Sequence, residues 1–450
     1  MTQTRATFGS RIGTILATVG SAVGLGNIWR FPYEAGQNGG GAYLVIYLGC
    51  VILLGLPLMM TEFFVGRRTR RNAIDAFGTL SAHRGWKAIG CMGVLSAFFI
   101  LGFYSVVAGW TLEYIWQAVA GTMNGKNAAR FSADFDLFTM HPWRPLVWLA
   151  VINLIAHAVI VSGVRKGIER ASKLMMPALF LILIVLCVRS VTLPGAAEGL
   201  RFLFRPDFSA VGPGTFLSAL GQAFFSLSLG MAIMITYASY FDAGNNMRKT
   251  ALSVTMIDTA VAILAGVMIF PAVFSFGIEP GKGPGLVFVT LPNIFQQLPA
   301  AGLWSAIFFI LLALAALTSI ISIHEPSTAF ISEKFGLPRK WAALAVTVAA
   351  TALGAFASLS LGADRDITLF GMSLFDFLDF ASAKVLMPLG SMLLAIFAGW
   401  FVDRKILAQE FSNGGTLRVR WLGAFVFLLR WIAPIAIGLV FLHELGLFGI

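Results

Sequence analysis

The chain has 450 residues, of which 58% are hydrophobic and only 12% charged, about half the charged share of ordinary soluble domains, so a water-soluble globule is excluded. The net charge is +11, but the basic residues recur in short clusters between apolar runs and form no single stripe. That pattern argues against a nucleic-acid partner and for the positive-inside bias of a polytopic membrane protein.

Runs long enough to cross about 30 Å of hydrocarbon fall at 12–35, 41–65, 88–120, 145–162, 171–189, 214–240, 251–277, 302–332, 341–361, 368–401 and 419–445. The expected fold is an all-α polytopic membrane protein with eleven transmembrane helices. The first run lacks a small-residue cleavage site, so it is kept as a span and the chain is expected to start near Met1. With the N-terminus in the cytoplasm, 21 Lys and Arg face inward and 8 outward; the C-terminus is then outside. Cys50, Cys91 and Cys187 lie within apolar runs without metal-type spacing and read as buried hydrophobes without a disulfide.

The first span is not built like a lipid-facing helix. Gly20-Ser21-Ala22-Val23-Gly24-Leu25-Gly26-Asn27-Ile28-Trp29-Arg30-Phe31 places glycines, an asparagine and an arginine at membrane depth, with Pro32 next. Unpaired backbone groups survive there only where they are buried in protein or line a cavity. Free carbonyls then hold cations, and free amides at a half-helix N-terminus hold anions. Close packing through Gly20 and Gly24 in the GxxxG manner would require neither Asn27 nor Arg30.

Further along, the fifth span opens with GIERASKLMMP, where Gly167 and Pro177 are ten positions apart; each weakens a helix in its own way. The sixth span, 221–240, is interrupted by Ser226, Ser228 and Gly230. Interrupted segments at corresponding places in two halves predict an inverted five-plus-five repeat with a midplane site: residues 1–189 and 214–401, with 419–445 added. The outward segments 121–142, 190–213 and 278–300 read as caps, and 281–297 as a proline-interrupted lid. Glu62, Tyr104, Gln222, Asp258, Thr318, Ser319, Asp376, Asp379 and Lys384 add polar groups within spans, which usually mark a pathway. There is no HExxH, GxSxG or P-loop pattern, so an enzyme is not expected, and the scattered histidines are not expected to be metal ligands.

The stretches SRIGTILATVGSAVGLGNIWRFPYEAGQNGGGAYLVIYL, FFSLSLGMAIMITYASY and LALAALTSIISI together resemble the neurotransmitter:sodium symporter family over essentially the whole chain, and eleven spans resemble its bacterial branch. The resemblance implies two all-oxygen sodium sites, as a hard cation requires. One would use the Ala22 carbonyl, Asn27, Ser226, Asp258 and the substrate carboxylate; the other the carbonyls of Gly20, Val23 and Ala315 with the hydroxyls of Thr318 and Ser319. An amino acid would place its carboxylate on the Leu25 and Gly26 amides and the Tyr104 hydroxyl, and its ammonium near Ala22, Phe225, Ser226 and Ser228. Ile100, Tyr104, Phe225, Met231, Ser319 and Ile323 would meet its side chain.

In the same way, Arg30 and Asp379 resemble an outer gate. Arg5 and Glu333 resemble an inner one, expected to be weaker because Glu333 and Phe8 stand where the family more often has Asp and Trp. Gly167 and Pro177 resemble an unwinding motif. Asp258 stands where the family often has a neutral asparagine beside a chloride site resembling Tyr47, Gln222 and Ser226, so no chloride requirement is expected. The implied function is sodium-coupled uptake of a neutral, hydrophobic L-amino acid across a bacterial inner membrane. A proton-coupled or sodium-independent exchanger remains the nearest alternative, and a channel the alternative from another class. The resemblance assigns no role to Lys384 or Arg430; Lys384 is placed to neutralise Asp376 or Asp379.

Overall fold

A computed structural model describes residues 5–277 and 285–447. Nine of its helices are long and apolar enough to cross a membrane: Gly41–Thr69, Arg84–Val119, Arg144–Val161, Val164–Val191, Met247–Phe276, Ala301–Phe335, Arg339–Ser360, Leu374–Phe401 and Leu422–Glu444. A tenth span is the pair Arg11–Ala22 and Gly26–Gln37, bent by 52° at the break between them. The remaining expected span is two helices, Pro213–Ser226 and Ile233–Ala238, each too short to cross alone. The first and sixth segments are therefore the interrupted ones, as the glycines and serines predicted.

The sixth span breaks for a backbone reason. Ser228, Gly230 and Ala232 all have positive φ, at 53°, 75° and 58°, and alternating left-handed residues cannot sustain an i→i−4 ladder. The amide freed at Gly230 is not left bare, since it donates to Oε1 of Glu62 from the second span at 2.7 Å. A Cβ on Gly66 would lie 2.0 Å from the Ile235 carbonyl oxygen, so glycine is what lets the second and sixth spans meet backbone to backbone.

The third and eighth spans, Arg84–Val119 and Ala301–Phe335, pack along each other through the centre, while Arg144–Val161 and Leu422–Glu444 are the more peripheral. Several expected boundaries move. The fifth span starts at Val164 and runs unbroken through Gly167 and Pro177 to Val191, its first turns being π-helical. The tenth starts at Leu374, because residues 368–373 form a small hairpin whose tip, Phe370 and Gly371, has positive φ. The lid expected at 281–297 is an apolar helix over Leu286–Gln296, while its residues 281–284 lie outside the described residues. Phe288 of this helix packs on Tyr114, Trp110 and Phe309 at ring distances of 5.0, 5.6 and 5.9 Å. Cys50 and Cys187 are buried, but Cys91 is exposed: it sits on an outer face of the third span, which periodicity in an all-apolar run cannot identify.

Candidate functional site

The two interruptions lie against each other and against the third and eighth spans. The Leu25 amide, freed by the first break, donates to the Tyr104 hydroxyl at 3.1 Å. Gln222 Nε2 donates to the Gly26 carbonyl at 2.9 Å, and Ser228 Oγ to the Ser21 carbonyl at 2.8 Å. Backbone groups that a continuous helix would consume are thus held in reserve by side chains of other spans, as buried polar groups must be.

Ala22, Gly26, Ile100, Tyr104, Phe225, Ser226, Ser228, Met231, Ser319 and Ile323 line one midplane cavity of about 20 Å³. Leu25 is one step outward and lines a vestibule of about 380 Å³, which shares Gly26, Tyr104 and Phe225 with the cavity. Phe225 therefore stands between the two spaces. A volume of 20 Å³ holds little more than one water, so Phe225 and its neighbours must shift before a larger solute enters.

Two groups of oxygens adjoin the cavity. In one, Asp258 Oδ1 accepts from Asn27 Nδ2 at 2.7 Å, Asp258 Oδ2 accepts from Ser226 Oγ at 2.7 Å, and Asn27 Oδ1 accepts the Gly24 amide at 3.0 Å. In the other, the Thr318 hydroxyl donates to the Ala315 carbonyl at 2.9 Å, and the Ser319 hydroxyl to the Val23 carbonyl at 3.3 Å. Gly20 faces this pair closely enough that an added Cβ would lie 3.5 Å from Thr318 Cβ. Thr318 gives its only proton to backbone, so its lone pairs remain for a cation.

The charged residues sort by side, outward and inward being taken in the sense of the expected orientation. Outward, Arg30 lies 3.7 Å from Glu34 and stacks over the Phe225 ring at 5.1 Å, while Asp379 shares the vestibule wall with it. Among the described residues no ion pair joins Arg30 to Asp379. Inward, Arg5 contacts Glu333 directly and donates to Ser239 Oγ at 2.7 Å. Among the described residues Lys384 forms no salt bridge with Asp376 or Asp379 and pairs instead with Glu444 of the last span at 3.0 Å, a partner far in sequence that spacing within the tenth span could not suggest. Arg430 donates to the Gly399 carbonyl at 2.5 Å and stacks on Trp400 at 5.1 Å, closing the π-helical end of the tenth span.

Residues 5–131 and 140–446 match the model of the sodium:neurotransmitter symporter family. The chain belongs to that family. An uncharacterized sodium-dependent transporter of Bacillus subtilis is 42% identical over 97% of both chains, and a second from Haemophilus influenzae is 37% identical over 98% of both. The crystal structure of MhsT in complex with L-phenylalanine matches with TM-score 0.90 and 44% identity, covering 98% of this chain and 100% of that one. The protein is accordingly a multi-pass, sodium-dependent transporter and not an enzyme.

Sequence reasoning about this symporter passed over some residues. Glu62 was visible as an intramembrane carboxylate, but its cap on the Gly230 amide was not. Glu325, not singled out from the sequence, is fully buried, accepts from Tyr240 and is gripped by both terminal nitrogens of Arg339 at 2.8 and 2.6 Å. His324 is a satisfied core residue held by Thr347 and Thr328. A buried carboxylate one helical turn from a polar run was the signal available for Glu325.

Proposed function

We propose that this symporter carries a neutral, hydrophobic L-amino acid into the cell with two sodium ions, by alternating access around the midplane cavity. The observation that carries the reading is convergence. Ala22 and Ser226, expected at the first ion, and Ser319, expected at the second, all line the cavity that the side-chain residues line. Ion and solute then share walls and, through the substrate carboxylate, a ligand. Binding of each must raise the affinity of the other.

Gly20, Val23, Ala315, Thr318 and Ser319 supply oxygens without formal charge to the second ion; Asn27, Ser226, Asp258 and the Ala22 carbonyl serve the first. Asp258 is a fixed carboxylate that accepts from Ser226, and the Tyr47 hydroxyl and Gln222 Oε1 are buried without a hydrogen-bond partner among the described residues; the carboxylate supplies the charge that chloride would, so chloride is not required. The relative solved with L-phenylalanine supports a hydrophobic amino acid as cargo. Arg30 with Asp379 closes the outer side, Arg5 with Glu333 the inner, and the stretch from Gly167 to Pro177 unwinds to admit water to the second ion. The chain works as two five-span halves, 1–189 and 214–401, with 419–445 appended, in a bacterial inner membrane with its N-terminus cytoplasmic and its C-terminus outside. Two ions moving down about 100 mV and a tenfold gradient supply about 7 kcal/mol, enough to concentrate a neutral solute by several powers of ten.

The test is substrate-induced thermal shift across the amino acids in sodium and in choline. Shifts scale as RT ln(1 + [L]/Kd), so hydrophobic amino acids should stabilise the protein in sodium alone. Equal shifts in both media would favour the sodium-independent exchanger.

A further inference from the structure

The root of the first span is held on two flanks. On one, Arg5 and Phe8 meet the sixth and eighth spans, the Phe8 amide donating to the Tyr240 carbonyl at 3.1 Å. On the other stands Glu169 of the fifth span, its side chain 3% exposed. Its carboxylate accepts from the Gly9 amide at 2.6 Å, the Ser10 hydroxyl at 2.9 Å and Lys173 Nζ at 2.6 Å. Ser10 is the N-cap of Arg11–Ala22 and accepts the Gly13 amide at 3.0 Å. Glu169 therefore completes the cap of the first span with a full negative charge, where the helix dipole favours one. The fit is close: a Cβ on Gly13 would lie 2.0 Å from Glu169 Oε1.

Glu169 also occupies a weak part of its own helix. It ends the π-helical turn Val164–Glu169, two residues past Gly167 and eight before Pro177. A π-turn has looser hydrogen bonding than an α-turn, and an interior proline removes a further bond.

We propose that Glu169 is a positioning residue that makes loosening of the fifth span and release of the first span's inner half a single step. While the turns at 164–177 are wound, the carboxylate pins Gly9 and Ser10 and the cytoplasmic side stays shut. When they unwind, the carboxylate moves with its backbone and the first-span cap loses its acceptor. Orphaned amides at that N-terminus then favour water, and Arg11–Ala22 swings away from the cavity. This rests on the reading that 164–177 unwinds during transport, and adds the contact through which the unwinding acts.

The experiment replaces Cys50, Cys91 and Cys187 by serine and places one reporter cysteine at Ala17, buried in the inner half of the first span. Alkylation by a maleimide from the cytoplasmic side is then timed in inside-out vesicles, with and without sodium. Glu169→Ala should speed alkylation about tenfold, the order expected when hydrogen bonds to a charged group are lost from the closed state. Ser10→Ala should speed it less, and the double variant should fall well short of the product of the two single effects, since they share one contact while Ser10 alone also caps the Gly13 amide. Equilibrium substrate binding in sodium should change less than uptake. Should Glu169→Ala fail to fold, Glu169→Gln, which keeps the shape but weakens acceptance, carries the same expectation at smaller amplitude. An unchanged rate in the carboxylate variants, or effects of Ser10→Ala and Glu169→Ala that multiply, overturns the proposal. The rate contrast is read in either medium, so a missing sodium effect in the unaltered protein would count against the sodium reading alone.

Discussion

The outer and inner faces of the midplane cavity are built from similar residues and do opposite things. Outward, a vestibule of about 380 Å³ reaches Phe225, and its charges pair with near neighbours: Arg30 with Glu34 on the same helix, Lys384 with Glu444 on the adjoining span. Inward, the contacts run across many spans in layers. Arg5 meets Glu333 and Ser239, Glu333 accepts from Asn72, Phe8 packs its ring edge-on to Tyr237 and Tyr240 at 5.9 and 6.1 Å, and Tyr240 reaches Glu325, which Arg339 grips. One partly exposed ion pair contributes about 1 kcal/mol at most. On this side the polar groups are satisfied from several helices at once, and the Phe8 ring lies edge-on to two tyrosines. The structure is thus open on the vestibule side and closed on the side of Arg5 and Phe8, and alternating access would trade one set of contacts for the other.

The largest break in this asymmetry is expected where the second ion site meets the inner half of the first span. Thr318→Ala with Ser319→Ala removes the two side-chain oxygens that face Gly20 and Val23, leaving only carbonyls for a cation. Sodium stimulation of uptake should fall by tenfold or more, about 1.4 kcal/mol or more of ion binding, while folding is little changed. A double variant whose uptake responds to sodium as before would place the ion elsewhere.

Asp258→Asn should act almost as strongly, but conditionally. Without the carboxylate, sodium at Asn27 and Ser226 has no fixed counter-charge, and an anion must supply it beside Tyr47 and Gln222. The unaltered protein should take up substrate equally in chloride and in gluconate, whereas the variant should be slow in gluconate and recover in chloride. A large fall of the unaltered protein in gluconate would remove this role from Asp258.

A smaller and more selective effect is expected outside. Arg30 lies over Phe225 and near Glu34, with Asp379 also in the vestibule lining; the proposed gate closes by exchanging Glu34 for Asp379. Arg30→Ala should lower the uptake rate severalfold and leave equilibrium binding within about twofold, since closure follows occupation. Equal losses would make Arg30 a direct ligand of the solute instead.

Much of this was legible in the sequence because broken helices at membrane depth are rare enough to be conspicuous. The glycines, Asn27 and Arg30 of the first span, and Ser226 to Gly230 of the sixth, betrayed themselves against an apolar background, and the family motif then named their partners. What stayed hidden are contacts between residues ordinary in their own surroundings. Glu169 stands among basic residues at the start of the fifth span, Glu444 at the end of the last, and Cys91 within an apolar run. Their meaning depends on which helix lies opposite, and a helix that is hydrophobic all round carries no periodic signal of its facing.

The finest test concerns how much room the cavity allows. Ala232 is an alanine held at φ 58° at the head of Ile233–Ala238, a conformation that costs a side-chain residue roughly 1–2 kcal/mol relative to glycine. Its methyl lies against the third span, where a Cβ on Gly93 would come within 2.9 Å of it, and it follows Met231 of the cavity wall. Met231 is pliable and adapts to mid-sized side chains; Ala232 does not line the cavity, but its methyl, wedged against the third span, fixes the backbone from which Met231 reaches the wall. Leucine and methionine should therefore bind more tightly than tryptophan. Ala232→Gly should narrow that gap by about tenfold, the order of one methylene in an apolar pocket. Stability should change by less than about 1 kcal/mol, because relief of the strained φ offsets the lost methyl burial. Competition binding in sodium reads both ratios. Tryptophan binding more tightly than leucine to the unaltered protein would show that the limit lies elsewhere than at position 232.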